Sequence, residues 1–289
     1  MTTFDPQPTL DDFAEFRALL ADFWANVPDK AWNTRTGKRD KDWTLHQALA
    51  HLVSIAVLFN HAVDVTIDDQ PLEIVGLKIR RDLRHWNDIE IAARVAIPPD
   101  GLVDQLLAEL DATVERLQSL TTEEAERQTF VRAYNRPARV IDFIDWQLSH
   151  AGVVHAAQIT RPLNAPPLWE RYSTPLKQRQ IDRFLRHFSY SYWNEVGDDL
   201  YETINFHIDG DSGGAWHIVA APDGGSVDQG LVEDAGINLH FRDADTLFGV
   251  FNVHIPFQTA LESGVMRIDG DSGRAMQVIR LFGASPPKV

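Results

Sequence analysis

The chain has 289 residues, no cysteine and 11 histidines. Any transition metal it binds must therefore rest on imidazole and carboxylate, and any thiol in its chemistry must come from a second molecule. Five of the histidines fall in two apolar, helix-like segments. His46 and His51 lie in "WTLHQALAHLV", with His61 beyond them, and His150 and His155 lie in "DWQLSHAGVVHAAQI". Both pairs are five residues apart. On a regular α-helix five steps leave two side chains about 140° apart, so neither pair converges, whereas a π-bulge draws such a pair together and bulges of that kind cluster at functional sites. Two readings of His51 and His155 stay open. Each is either a histidine hydrogen-bonded on a buried helix face, as the stripe of Ile144, Leu148, His155 and Ile159 suggests, or a metal donor.

Other catalytic patterns are missing. Gly210 to Gly214 spells Gly-x-Ser-x-Gly, but it reads as a turn between two strand-like runs and not as the strand-to-helix elbow that acyl transfer needs. The repeated phrases "IDGDSGG" at 208–214 and "IDGDSGR" at 268–274 have neither the Lys-Ser/Thr ending of a Walker loop nor the spacing of a dinucleotide fingerprint. They read as tight Asp-Gly turns after strand-like runs. Asp243 and Asp245 stand at a helix start, where capping is the expected work of a carboxylate.

The elements that must carry the histidines are helices. Thr9 with Asp12 predicts a capped start, and Phe13, Phe16, Leu20 and Phe23 follow at helical spacing to about Trp24. Thr44 with Gln47 opens a second helix that is apolar nearly all round. Its three histidines and short length predict a buried bundle helix and no membrane span. A third covers Leu102 to Leu120 and a fourth runs from about Ala138 to Thr160, with the segment Pro71 to Pro99 left as a connection. Four long helices predict a bundle.

"WTLHQALAHLV" and "DWQLSHAGVVHAAQI" also resemble the second and fourth helices of the DinB-like (YfiT-like) four-helix bundles. That resemblance implies a divalent metal held by one histidine of the second helix and by a His-x-x-x-His or Glu-x-x-x-His pair of the fourth. His51 matches the first position and His155 the last. The middle position is Ala151, which cannot ligate, so the resemblance implies a site one ligand short unless His150 substitutes. The expected state is without a metal, with zinc or nickel as the alternative that imidazole prefers.

The last third reads as short strands, "GAWHIVAA" and "AGINLHFR", with helical spacing at Asp243 to Val250 and Ser272 to Phe282. The order "INFHIDGDSGGAWHIVAAPDGGSVDQG", "INLHFRDADTLFGVF", "ALESGVMRIDGDSGRAMQVIRLF" resembles a sterol carrier protein type 2 domain. This implies a curved five-stranded sheet covered by helices, with an apolar tunnel whose expected lining is Phe248, Phe251, Phe257, Leu261, Met266 and Ile279. The expected fold class is thus a helical bundle followed by an α+β domain. The boundaries are 8–162 for the bundle, 163–177 for the proline-rich linker "RPLNAPPLWERYSTP", and 178–285 for the second domain. A bundle followed by a sterol-carrier-like domain is the arrangement of the mycothiol-dependent maleylpyruvate isomerases, in which a bundle-held zinc activates a low-molecular-weight thiol.

Composition narrows the partners. A net charge of −15 argues against nucleic acid and anionic membranes, since both need a basic face to displace counterions. The acidic amino terminus lacks the basic and apolar regions of a secretory signal, and a cytoplasmic location is expected. Two functions compete. The favoured one is a carrier of a small apolar ligand, lipid or acyl, in the second domain, with the bundle as a partner or homodimer module. The other is a metal- and thiol-dependent transferase or isomerase working in the bundle.

Overall fold

The computed structural model describes residues 4–39, 41–197 and 200–283. The chain forms two compact units, Met1–Tyr172 and Ser173–Val289. The first is helical. Helix α1 (Gln7–Ala25) begins two residues ahead of the expected Thr9 cap, because Pro6, with its φ fixed at −74°, already supplies the turn into the helix. Phe13, Phe16, Leu20 and Phe23 form its buried stripe. Helix α2 (Leu45–Ile67) starts at the predicted capping box: Gln47 N–H donates to the Thr44 hydroxyl and Gln47 Oε1 accepts from the Thr44 N–H. It is long and apolar enough to cross a membrane, yet 67% of that window is buried within the fold.

Between α2 and the next bundle helix, the sequence segment read as a connection holds α3 (Leu83–Arg94), with Trp86 and Ile91 buried. Helix α4 (Pro99–Ser119) buries Leu102, Leu106, Leu110 and Leu117. After the short α5 (Thr122–Glu126), strands β1 (Gln128–Val131) and β2 (Arg136–Arg139) form an antiparallel hairpin that the helical reading of 138–160 did not include. Asn135, with φ of 52°, closes its turn in the left-handed region that asparagine tolerates. The last bundle helix starts only at Val140. It is α6 (Val140–Ser149), then a π-helical turn (His150–Val154), then α7 (Ala156–Thr160).

A buried polar chain fixes how the bundle helices are rotated against one another. The Asn60 amide donates to the Glu109 carbonyl at 2.9 Å and accepts from the Thr113 hydroxyl at 2.8 Å, while the Gln147 amide reaches the Ala56 carbonyl at 3.1 Å and Thr113 Oγ1 at 3.2 Å. Leaving any of these groups unpaired in the core would cost ~1–3 kcal/mol, so a slipped or rotated helix is penalised at several points at once. The proline-rich stretch packs onto this unit, with Leu168, Trp169 and Tyr172 buried.

The second unit opens with α8 (Thr174–Tyr190), whose Ser173 cap and early Pro175 the sequence reading passed over as linker. The short α9 (Asn194–Gly197) follows. Strands β3 (Glu202–Ile208), β4 (Gly214–Ala221), β5 (Gly224–Gln229), β6 (Ile237–Phe241) and β7 (Met266–Gly270) make a five-stranded mixed sheet in the order β5-β4-β3-β6-β7, with β3 and β6 parallel. Helices α10 (Ala244–Phe251), α11 (Phe257–Glu262) and α12 (Ser272–Ile279) complete it. Ile204, Phe206, Trp216, Ile218, Leu239 and Phe241 alternate onto its buried face.

The two Asp-Gly phrases do different things. The first joins β3 to β4 as a hairpin in which Ile208 faces Gly214. The second ends β7, and Asp271 then caps α12 by accepting the Arg274 N–H, so this copy is a strand-to-helix junction and not a hairpin.

Candidate metal centre

The site begins with α2. Two turns in from the Thr44 cap, His51 is 3% exposed and faces the segment that follows α6. There the helix is not regular. The His155 N–H donates to the His150 carbonyl at 3.0 Å, a bond spanning five residues where an α-helix spans four. The extra residue widens the turn, so five steps come close to one revolution and the two histidines share a face. The divergence expected of His150 and His155 on a regular helix therefore does not occur.

His51, His150 and His155 converge. Their candidate donor nitrogens all lie within 4.8 Å of one another. The ring centroids are 5.3 Å apart for His51 and His150, 4.9 Å for His51 and His155, and 4.5 Å for His150 and His155. Nε2 of His51 and Nε2 of His150 are 3.2 Å apart. Two imidazole nitrogens on one tetrahedral zinc, at the usual bond length near 2.05 Å, stand about 3.3 Å apart, so this pair already has the spacing of shared ligands. Ala151, at the position the sequence resemblance marked for a ligand, is buried and contributes none.

Electrostatics suit the neutral, ligating form of the rings. Burial holds His51 well below the ordinary histidine range, and the nearby His155 pushes it the same way. Burial also lowers His155, partly opposed by its hydrogen bond to Gln158. Nδ1 of His51 is buried without a hydrogen-bond partner, the kind of orphaned polar atom that marks a place where structure serves something other than stability. The three-histidine donor set, the depressed pKa values of His51 and His155 and the partial enclosure of the cluster all fit a divalent metal.

Aromatic rings wall the cluster. Trp43 lies 4.6 Å from His51 and 6.3 Å from His155, and Phe59 meets His150 edge-on at 6.1 Å. Phe59 in turn packs against Trp146 and Phe143. Trp43 is held by its own backbone, since its carbonyl accepts both the N–H and the hydroxyl of Thr36. Tyr172, from the proline-rich stretch, donates its hydroxyl to the Gly152 carbonyl inside the π-turn at 2.7 Å. The sequence reading had given Trp43, Phe59, Tyr172 and Gln158 no role at this site.

In the second unit, the residues expected to line a tunnel are placed as follows. Phe248 is 0% exposed and Met266 is buried, while Phe251, Phe257, Leu261 and Ile279 are half-buried. Phe251 sits against the rings of Phe184, Phe188, Phe206 and Phe241, and Phe248 against Phe184.

The first unit is thus a helical bundle with three histidines gathered from its second and last helices. Residues 13–160, just over half of the chain, match the mycothiol maleylpyruvate isomerase N-terminal domain, and the chain belongs to that family. Two solved structures resemble the protein over 86% of its length and 90% of theirs. One is a mycothiol-dependent maleylpyruvate isomerase, 10% identical with a TM-score of 0.52. The other is a histidine-to-alanine mutant of a mycothiol-dependent maleylpyruvate isomerase, 12% identical with a TM-score of 0.53. At such identity the likeness is one of fold, and it spans both units, as the sequence arrangement implied. No curated protein matches the sequence.

Proposed function

We propose that the protein is a metal- and thiol-dependent isomerase or transferase whose reaction takes place in the helical bundle. The observation that carries this reading is the convergence of His51, His150 and His155 on one point between α2 and the π-turn. Membership of the maleylpyruvate isomerase family supports it.

His51, His150 and His155 would hold the ion, zinc or nickel by donor type. When bound, a divalent ion would lower the pKa of a coordinated thiol or water and so supply a nucleophile at neutral pH. The chain's own residues do the rest. The imidazoles of His51 and His155 are kept neutral by burial, Trp43 and Phe59 exclude water from the cluster, and the Gln147 network holds α6 in the rotation that aims His150 inward. With no cysteine in the chain, the sulfur comes from a low-molecular-weight thiol such as mycothiol, and a substrate like maleylpyruvate is the first to test.

The carrier reading of the second unit has less behind it. Its proposed lining includes Phe248 and Met266, both buried, and Phe251, which four neighbouring rings already contact. The experiment is an isomerisation assay on maleylpyruvate with mycothiol, with and without prior removal of metal by a chelator. Turnover that needs both thiol and metal is expected. A zinc-loaded protein that is inert towards such substrates with every thiol offered would overturn the assignment.

A further inference from the structure

The hydrogen bonds behind His155 form a chain in which each donor is determined by the next. It ends at the Trp43 carbonyl, which can only accept. Thr36, 1% exposed, spends its hydroxyl hydrogen on that carbonyl at 2.9 Å, so towards Gln158 its oxygen can only accept. The group of Gln158 lying 3.1 Å from Thr36 Oγ1 must therefore be the amide NH2. That orientation presents Gln158 Oε1, an acceptor, to Nδ1 of His155 at 2.5 Å. Nδ1 must then carry the proton, and Nε2 is left with its lone pair as the remaining donor towards His51 and His150.

We propose that Gln158 is a positioning residue of the histidine centre: its amide, locked through Thr36 to the Trp43 carbonyl, holds His155 in the Nδ1–H tautomer with Nε2 free to ligate. The inference rests on the reading of the cluster as a metal centre, but the tautomer itself is a property of the metal-free protein. The chain also couples the ligand to the wall of the site. Thr36 holds the backbone of Trp43, whose ring lies over both His51 and His155, so one set of hydrogen bonds sets a donor's orientation and its cover. Outer partners of this kind typically change metal affinity by about 10- to 100-fold when removed.

The test uses the full-length protein in two arms. In the first, long-range proton-nitrogen NMR of the metal-free wild type reads the tautomer of each histidine, with His155 assigned by comparison with His155→Gln. The Nδ1–H form is expected. A His155 protonated on Nε2 would overturn the proposal whether or not the protein binds metal. In the second, zinc is titrated against wild type, Gln158→Leu and Gln158→Glu, and folding is checked by circular dichroism. The leucine variant should bind about 10- to 100-fold more weakly, and the glutamate, which still accepts from Nδ1, should stay within a few-fold of wild type. Equal affinity in all three would overturn it, as would a glutamate variant as weak as the leucine one. A wild type with the expected tautomer that takes up no zinc would instead count against the metal reading alone.

Discussion

His150 and His155 face each other across one π-helical turn, with ring centroids 4.5 Å apart and a backbone hydrogen bond from the second to the first. A turn of this type exposes backbone groups that a regular helix would pair internally, and something must satisfy them. Here Tyr172 does so at Gly152, and burial keeps its hydroxyl protonated by pushing its pKa well above the ordinary tyrosine value.

Tyr172→Phe should therefore destabilise the protein by about 1–3 kcal/mol, the usual range for a buried carbonyl left without its donor. Urea unfolding of the metal-free protein measures this. The same variant should bind zinc more weakly, because the π-turn that pairs the two histidines loses its outside support. An unchanged midpoint together with unchanged zinc affinity would show that the turn is stable without Tyr172.

Acid should weaken the metal-free protein through the same histidines. Burial lowers the folded-state pKa of His51 strongly and of His155 as well, whereas in the unfolded chain both take up protons near 6.5. Below about 6.5, and above the depressed folded values, the unfolded state binds more protons than the folded state. Stability then rises with pH across that window and is lost as pH falls through it. Each such group contributes at most about 1.4 kcal/mol per pH unit. Unfolding free energies measured between pH 7 and pH 5 should show this slope, and His51→Leu should flatten it. A slope identical in wild type and variant would mean that His51 takes up its proton in the folded protein over the same pH range as in the unfolded chain.

In the second unit, Phe248→Ala should cost about 3–5 kcal/mol, the range for deleting a fully buried aromatic side chain. Phe248 is 0% exposed and meets Phe184 edge-on at 5.8 Å. Thermal unfolding of the full chain reads the loss. A cost under about 1 kcal/mol would show that the ring borders open space rather than core, and would favour the apolar-ligand reading of this unit.

What could be read in the sequence followed from local rules that tertiary structure left intact. Thr44 and Gln47 announced the start of α2, Asp243 capped α10 by accepting the Thr246 N–H, and the apolar stripe of α1 lay where its spacing put it. His51 and His155 were marked by resemblance alone. His150 was discounted because the angle between positions was computed for a regular helix, and a π-turn leaves little trace in one sequence. The run after Thr160 was read as linker from its prolines, although Ser173 and Pro175 are equally a helix start, with the Ser173 hydroxyl accepting the Leu176 N–H. The β1–β2 hairpin escaped notice because neither strand exceeds four residues and Asn135 was the only turn signal between them. Gln158 could not be found from sequence. Its role depends on Thr36, which lies 122 residues away along the chain.

The central claim is that three histidines, with His150 among them, form one metal centre. The direct measurement is the metal content of tag-free protein after exposure to zinc and exhaustive dialysis, for wild type and for His51→Ala, His150→Ala and His155→Ala. The account predicts about one equivalent in wild type and a large loss in each variant, since a zinc site keeps three protein ligands even when its fourth position is open. A wild type that retains no zinc, or a His150→Ala protein that retains a full equivalent, would contradict it.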